Sequence, residues 1–397
     1  MTARIYFDNA ATTPPDPRVI ETAQPYLSRL WGNPSSLHLE GREAHQAVDT
    51  ARRHVADLIG ARPEEIVFTG SGTEADNMAI QGVALAAAGG PCHIIASAVE
   101  HPAVLECCRA LEQRGVAVSL LPVDDQGIVN PADLERALRS DTRLVSIMTA
   151  NNVLGTLQPV AELAAIARRH GVLFHTDAVQ AAGKIRIDVH SQQIDLLSLS
   201  AHKLHGPKGI GALYVRDGVQ LPALLPGGGQ EGGRRSGTEN VAAMVGFGRA
   251  AEVARLEMAE EAARLVRIRD FIIDSVSETI DNAYLIGHRF RRLPGHICFG
   301  FHGMEGEAIK LLLALDEAGI AVSSGSACSS NHAGQPSHVL QAVGLDPIQA
   351  RGSLRITLGR FNAMEQAQRF VEVLPALVQS LRPMHGMTRH ERTTVPV

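Results

Sequence analysis

Hydrophobic residues in this chain follow two alternating periods. Short apolar and β-branched runs predict seven strands: "EIVFTG" (65–70), "HIIASAV" (93–99), "VAVSLLPV" (116–123), "RLVSIMTA" (143–150), "VLFHTDA" (172–178), "DLLSLSA" (195–201) and "GALYVR" (211–216). Several are too continuously apolar to leave a wet face, the mark of strands covered on both sides. Between them the spacing becomes helical, as in "HPAVLECCRALEQRG" and "VAELAAIARRHG", the second closing on Gly171. Such alternation predicts an α/β fold whose large domain has a mainly parallel seven-stranded sheet covered by helices.

The pattern changes after the Gly-rich "PGGGQEGGRRSGTEN" (226–240). A stretch rich in Ala, Glu, Arg and Leu, running to about residue 280, predicts one long connecting helix. Beyond it, strands "HICFGF" (296–301) and "SLRITLG" (353–359) alternate with helices near 305–318 and 363–381, predicting a smaller α+β domain. The last residues, "GMTRHERTTVPV", lack a packing pattern.

Composition narrows the function classes. With 397 residues, 45% hydrophobic and 20% charged, the chain can bury a large core. A net charge of -5 without Lys/Arg clusters speaks against nucleic acid as a partner. "MTARIYFDNAATTPPDP" lacks the apolar core of a signal peptide or membrane anchor, and no run approaches membrane-spanning length, so a cytoplasmic protein is expected. Five cysteines without a CxxC pair fit reduced thiols, and no metal site is expected.

In a parallel sheet, ligands gather at the carboxyl ends of the strands, so the polar residues that end each run carry the candidate chemistry. "TGSGTEADN" (69–77) runs from a strand through Gly70 and Gly72 into a helix. This is either a seat for a phosphate or a plain helix cap in which Ser71 and Glu74 form a capping box. "FHTDAVQ" places Asp177 at a strand end, where it can cap the next helix or meet a ligand. "SLSAHKLHGPKG" ends another strand with Ser200, His202 and Lys203. A lysine there is desolvated, which favours the neutral amine that forms Schiff bases. Together a lysine, a carboxylate for a pyridinium nitrogen and a helix N-terminus for a phosphate suggest pyridoxal 5'-phosphate. Cys328 stands apart, in the run of small residues "SSGSACSSNHAG" (323–334), which predicts a loop.

At this point the chain resembles the NifS/IscS-like cysteine desulfurases of the class V aminotransferase group. The resemblance is carried nearly end to end by "YFDNAATTPPDPRV", "GNPSSLH", "EIVFTGSGTEADNMAI", "EHPAV", "ANNVLGTLQP", "HTDAVQAAGK", "SAHKLHGPKGIGALYV", "RRSGTEN", "SGSACSS", "PSHVL" and "SLRITLGR". It implies the fold type I of pyridoxal-phosphate-dependent transferases, with a large cofactor domain over 15–255. A small domain would be built from 1–14 and 256–397, with the catalytic cysteine loop at 323–335 and a homodimer as the working unit.

Residue by residue, the resemblance implies Lys203 as the Schiff-base lysine and Asp177 as the partner of the pyridinium nitrogen. His101 would stack on the ring and act in catalysis, and Gln180 would bond the phenolic oxygen. Gly72, Thr73, Ser200 and His202 would lie around the phosphate, with Thr238 reaching it from the neighbouring subunit. Asn152 would lie beside the cofactor and, with Arg355, hold the substrate carboxylate. Cys328 would be the nucleophile, its flexible tether suiting a thiol that collects a sulfur atom and carries it outward.

The implied reaction turns L-cysteine into L-alanine and passes sulfur, as a persulfide, to an acceptor protein for iron–sulfur cluster or thio-cofactor synthesis. Two departures stand out. Val153 replaces an acidic residue common in the family, and the loop from Cys328 to "PSHVL" is about a residue longer. Selenocysteine lyase, a C–S lyase releasing sulfide and a non-catalytic relay subunit are the competing readings.

Overall fold

In the computed structural model, residues 4–87, 89–325 and 336–382 are described. The chain begins with β1 (Ile5–Tyr6), α1 (Pro17–Ser28) and α2 (Leu39–Ile59). The alternating region contains β2 (Ile66–Thr69), α3 (Gly72–Ala86), β3 (His93–Ser97), α4 (Pro102–Glu112), β4 (Ala117–Leu121) and α5 (Pro131–Ala137). It continues through β5 (Thr142–Ser146), α6 (Val160–Arg169), β6 (Leu173–Asp177), β7 (Leu196–Ser200) and β8 (Gly211–Val215). The long helix α7 (Val241–Thr279) leads to β9 (Ala283–Leu285), β10 (His296–Phe301), α8 (Ala308–Glu317), β11 (Ile320–Ala321) and β12 (Ser323–Ser324). The described part closes with α9 (His338–Ala342), β13 (Leu354–Thr357) and α10 (Met364–Leu381).

Seven strands form the large sheet in the order β2-β8-β7-β6-β5-β3-β4. All neighbours are parallel except β8, which runs antiparallel to both β7 and β2. Alternate side chains enter opposite layers, as the strand period requires. Ile95 packs with residues of α2, α6 and α7, whereas Ile94 and Ala96 pack with those of α3 and α4. The sheet is therefore covered on both faces, and its strands need no polar stripe. Gly171 adopts φ 68° behind α6, the left-handed turn that ends the helix there.

The second core gathers Phe7, Ile297, Phe299, Ile356 and Phe370 beside a four-stranded antiparallel sheet of order β12-β13-β10-β9. β1 pairs in parallel with β11, Ile5 opposite Ile320, so the start of the chain joins this core. The connector α7 serves both cores: Val241–Ala254 contribute to the first and Leu265–Val276 to the second. One expectation needs correcting. Ser323 and Ser324, assigned to the loop, form a short strand opposite Arg355 and Leu354, because buried backbone beside β13 must find hydrogen-bond partners.

The contact of α7 with α2 is close enough to forbid a side chain at Gly248. A Cβ there would lie 2.4 Å from the Ala51 Cα, and backbone cannot yield as a side-chain tip can. Gly248→Ala should therefore force the helices apart and lower stability by about 1–3 kcal/mol, read as a lower urea midpoint; an unchanged midpoint would show that the helix pair separates freely.

Candidate active site

The ends of β6 and β7 and the turn from β2 into α3 meet at one edge of the large sheet. They open onto a cavity of about 530 Å³ whose wall includes Gly72, Thr73, His101, Asn152, Asp177, Gln180, Ser200, His202 and Lys203. Nine residues singled out from the sequence thus share one chamber. A groove of about 720 Å³ between α1, α2 and α7 has no strand end on its wall.

Lys203 ends a single turn, Ala201–Lys203, that follows β7. Its Nζ donates to the carbonyls of Ala10 at 2.5 Å and Ala11 at 2.7 Å, so the N-terminal segment holds the amine at the cavity. Asp177, the last residue of β6, is 5% exposed and accepts the Val179 amide at 2.9 Å. Burial pushes its carboxyl up, while the charges of His101 and Lys203 pull in the opposite direction.

His101 caps α4, its Nδ1 accepting the Ala103 amide at 3.1 Å, which puts the neutral ring's proton on Nε2. His202 meets the Thr12 hydroxyl through Nδ1 at 3.1 Å. Burial, followed by Lys203, lowers its pKa to about 4, so the ring is neutral at neutral pH.

The turn into α3 settles an open question of capping. The Ser71 hydroxyl accepts the Glu74 amide at 3.1 Å, one half of the expected box. The Glu74 carboxylate instead accepts the Gly70 amide at 2.7 Å and the Arg235 guanidinium at 2.8 Å. A Cβ on Gly72 would come within 2.8 Å of Val179 and 3.3 Å of Ser200, so only glycine lets the helix start press onto the ends of β6 and β7. The helix therefore presents its positive end at the cavity.

Other candidates lie outside the wall. Arg355, on β13, is 1% exposed and sits behind Asn152, donating to the Asn152 carbonyl at 3.1 Å and to Asp8 at 2.9 Å. Its buried Nε has no hydrogen-bond partner among the described residues. Thr238 is exposed on the Gly-rich loop and does not line its own chain's cavity. Cys328 lies outside the described residues, but the strand before it is pinned where Ser323 pairs with Arg355. Val153, the departure noted above, is buried against Leu340 and Val343, beside Gly325 at the root of that loop.

The sequence reading missed a buried polar layer under Asp177. His175, two residues earlier on β6, is held between Ser146 and Ser198 hydroxyls at 2.8 and 3.0 Å. Burial drives its pKa to about 3, so it is neutral. Asp76 lines the cavity 3.7 Å from that ring, its carboxyl pushed well up by burial and then by Asp177. Glu100 accepts from the Ser97 hydroxyl at 2.6 Å and the Met148 amide at 2.9 Å. The only signal was polarity inside strand runs and on an otherwise apolar helix face.

A family model, aminotransferase class-V, matches residues 5–370. The chain belongs to that family. It is 49% identical to a protein of Dictyoglomus turgidum named cysteine desulfurase IscS, over 96% of each chain. Among solved structures, a NifS-like protein superposes with a TM-score of 0.89 at 38% identity, covering 95% of this chain and 100% of the other. Another, described as SspA in complex with cysteine, gives 0.79 at 37% identity, covering 90% and 100%.

Members of this kind depend on pyridoxal phosphate, and the residues present fit it. The cavity joins a lysine amine, a buried carboxylate for a cationic ring nitrogen, and a helix start cleared of side chain at Gly72 for a phosphate.

Burial raises the Glu100 pKa to about 8, far above the usual carboxyl value near 4.3. Between those values the folded protein keeps a proton that the unfolded chain has released, so stability falls as pH rises from about 4.5 to 8. Glu100→Gln keeps the acceptor and removes the titration. Its melting temperature should gain on wild type steadily across that window; parallel profiles would place the titration elsewhere.

Proposed function

We propose that this protein is a pyridoxal-phosphate-dependent cysteine desulfurase that converts L-cysteine to L-alanine and holds the sulfur as a persulfide on Cys328. The observation that carries the reading is Asp177 and Lys203 facing one cavity from neighbouring strands, in a chain 49% identical to a protein of that name.

When bound, pyridoxal phosphate supplies a conjugated ring that accepts the negative charge developed at the substrate Cα. Asp177 holds the ring nitrogen's proton, and its burial makes that pairing strong because no water competes. Lys203 holds the cofactor and moves the proton at the substrate Cα. His101 would lie against the ring, Gln180 would bond the phenolic oxygen, and Gly72, Thr73, Ser200 and His202 would hold the phosphate. Neutral His202 would offer its Nε2 there, its Nδ1 being engaged with Thr12.

Asn152 and Arg355 take the substrate carboxylate. Arg355 would add positive charge from behind Asn152, its fork held by the Asn152 carbonyl and Asp8. The Cys328 thiolate then attacks the substrate sulfur, so an S–S bond forms as the Cβ–S bond breaks, leaving a persulfide on the protein. An ordinary thiol with a pKa near 8.5 is only a few per cent thiolate at neutral pH, so the site must activate it.

Residues 15–255 act as the cofactor domain, and 1–14 with 256–397 as the domain that brings the thiol. The working unit is a homodimer in which Thr238 reaches the partner's phosphate. Its exposure, and the exposed Leu27, Trp31, Leu37 and Leu39, support that assembly. Sulfur passes to an iron–sulfur scaffold or another acceptor protein in the cytoplasm. Free thiols at Cys92, Cys107, Cys108 and Cys298 fit a reducing compartment, and among the described residues no helix is long and apolar enough to cross a membrane.

Incubation with L-cysteine should yield alanine and a persulfide located on Cys328 by mass spectrometry. Lys203→Ala should lose both products and the visible cofactor absorbance, whereas Cys328→Ser should keep the absorbance and lose the persulfide. Undiminished alanine production by Lys203→Ala would refute the reading, and free sulfide without enzyme-bound persulfide would make the protein a C–S lyase.

Arg355→Ala removes a charged hydrogen bond worth roughly 1.5–3 kcal/mol. Cysteine affinity should fall on the order of ten- to a hundredfold while the absorbance persists. Equal affinities in a spectroscopic titration would remove Arg355 from the carboxylate site.

A further inference from the structure

Lys184 has no part in the chemistry described so far, yet it is joined to the cavity from behind. Seven residues after β6, its Nζ donates to Gln180 Oε1 at 3.3 Å. The Gln180 Nε2 donates in turn to the Ala10 carbonyl at 2.9 Å, the same oxygen that accepts Lys203 Nζ. The two lysines thus flank one amide and one carbonyl, and both also line an enclosed pocket on the far side.

This arrangement determines which way the Gln180 amide points. A glutamine amide can present either its oxygen or its NH2 to a ligand, and only the NH2 donates. With its oxygen engaged by Lys184 and one N–H by Ala10, Gln180 keeps its second N–H for the cavity it lines. The flipped amide would leave Lys184 facing an NH2 group and Ala10 facing an oxygen.

We propose that Lys184 is a positioning residue for the cofactor's phenolic oxygen: it locks the Gln180 amide as a donor and places a proton-accepting amine behind it that becomes cationic when an anion occupies the cavity. The inference rests on the cofactor reading above and adds a residue to it.

The surroundings suit a group that is charged only on demand. Burial, followed by Lys203, lowers the Lys184 pKa from 10.5 to about 7, with Glu261 the opposing influence. Glu261 on α7 is already bonded to Arg360 at 2.9 Å. Lys203, His202 and His205 face the amine from the turn after β7, His296 from β10 and Arg360 from the segment after β13. All three histidines are shifted downward and so add no standing positive charge at neutral pH. An incoming phenolate would raise the Lys184 pKa, so binding takes up a proton. The linked gain in affinity is full below about pH 7, where the free amine is already charged, and vanishes at higher pH once the bound form also loses its proton.

The test uses cofactor-free protein and pyridoxine 5'-phosphate, which keeps the phenolic oxygen and phosphate but has no aldehyde to react with Lys203. Calorimetry should show wild type binding about tenfold more tightly than Lys184→Met at pH 6, on the order of one pKa unit of linkage, with the gap narrowing by pH 9 to the part the amide lock supplies. Lys184→Arg, a permanent cation, should keep its advantage at both pH values, and inorganic phosphate should bind all three proteins alike. Equal affinity of wild type and Lys184→Met at pH 6, or an equal loss for inorganic phosphate, overturns the role of Lys184. If Lys184→Met does not fold, a Lys184→Arg profile that falls with pH as wild type does overturns it. Failure of wild type to bind either pyridoxine 5'-phosphate or pyridoxal phosphate would sink the cofactor reading itself.

Discussion

A carboxylate buried at the end of a parallel strand, with no cation bonded to it, is the constraint around which this site is built. Asp177 is desolvated by the sheet that carries it, and it accepts a hydrogen bond from the Val179 amide. Such a group is costly until a cation arrives. Under the proposed function, the cation it would receive is a protonated ring nitrogen. His175 beneath it is neutral, and burial pushes the carboxyls of Asp76, Glu100 and Asp177 alike upward, with His101 and Lys203 the opposing influences on Asp177.

Close backbone approach supplies the rest of the geometry. Gly72 lets α3 start against the ends of β6 and β7, which puts the helix's positive end, Asp177 and Lys203 around one space. The N-terminal segment crosses this space and bonds Lys203 and Gln180 through Ala10, while Asp8 orients Arg355. Ala10, Ala11 and Thr12 are thus part of the cavity wall, and the same segment begins with Ile5 and Tyr6. They also pair with β11, so the cavity and the second core share one strand of backbone.

The boundary between the two cores explains why Val153 tolerates the loss of an acid. It lies in an apolar cluster with Val99, Leu340 and Val343, where a valine packs at no cost in desolvation and a carboxylate would have to be paired. Gly325, the last described residue before Cys328, sits against Val153 and Leu340.

Element types were legible in the sequence because they depend on local periodicity. Runs such as "VLFHTDA" and "DLLSLSA" could only be covered strands, and their polar ends marked Asp177, Ser200, His202 and Lys203. What the sequence by itself determined was therefore the α/β class, the connecting helix and the chemistry of the strand ends, all set by residues close together along the chain. Tertiary structure alone decided the antiparallel placement of β8, the pairing of β1 with β11, and the strand made by Ser323 and Ser324. It also decided that Glu74 would turn to Arg235, that Arg355 would stand behind Asn152, and that Lys184 would reach Gln180. Those contacts join residues whose separation in sequence bears no relation to their separation in space, and burial sets their charge states, so no local pattern can encode them.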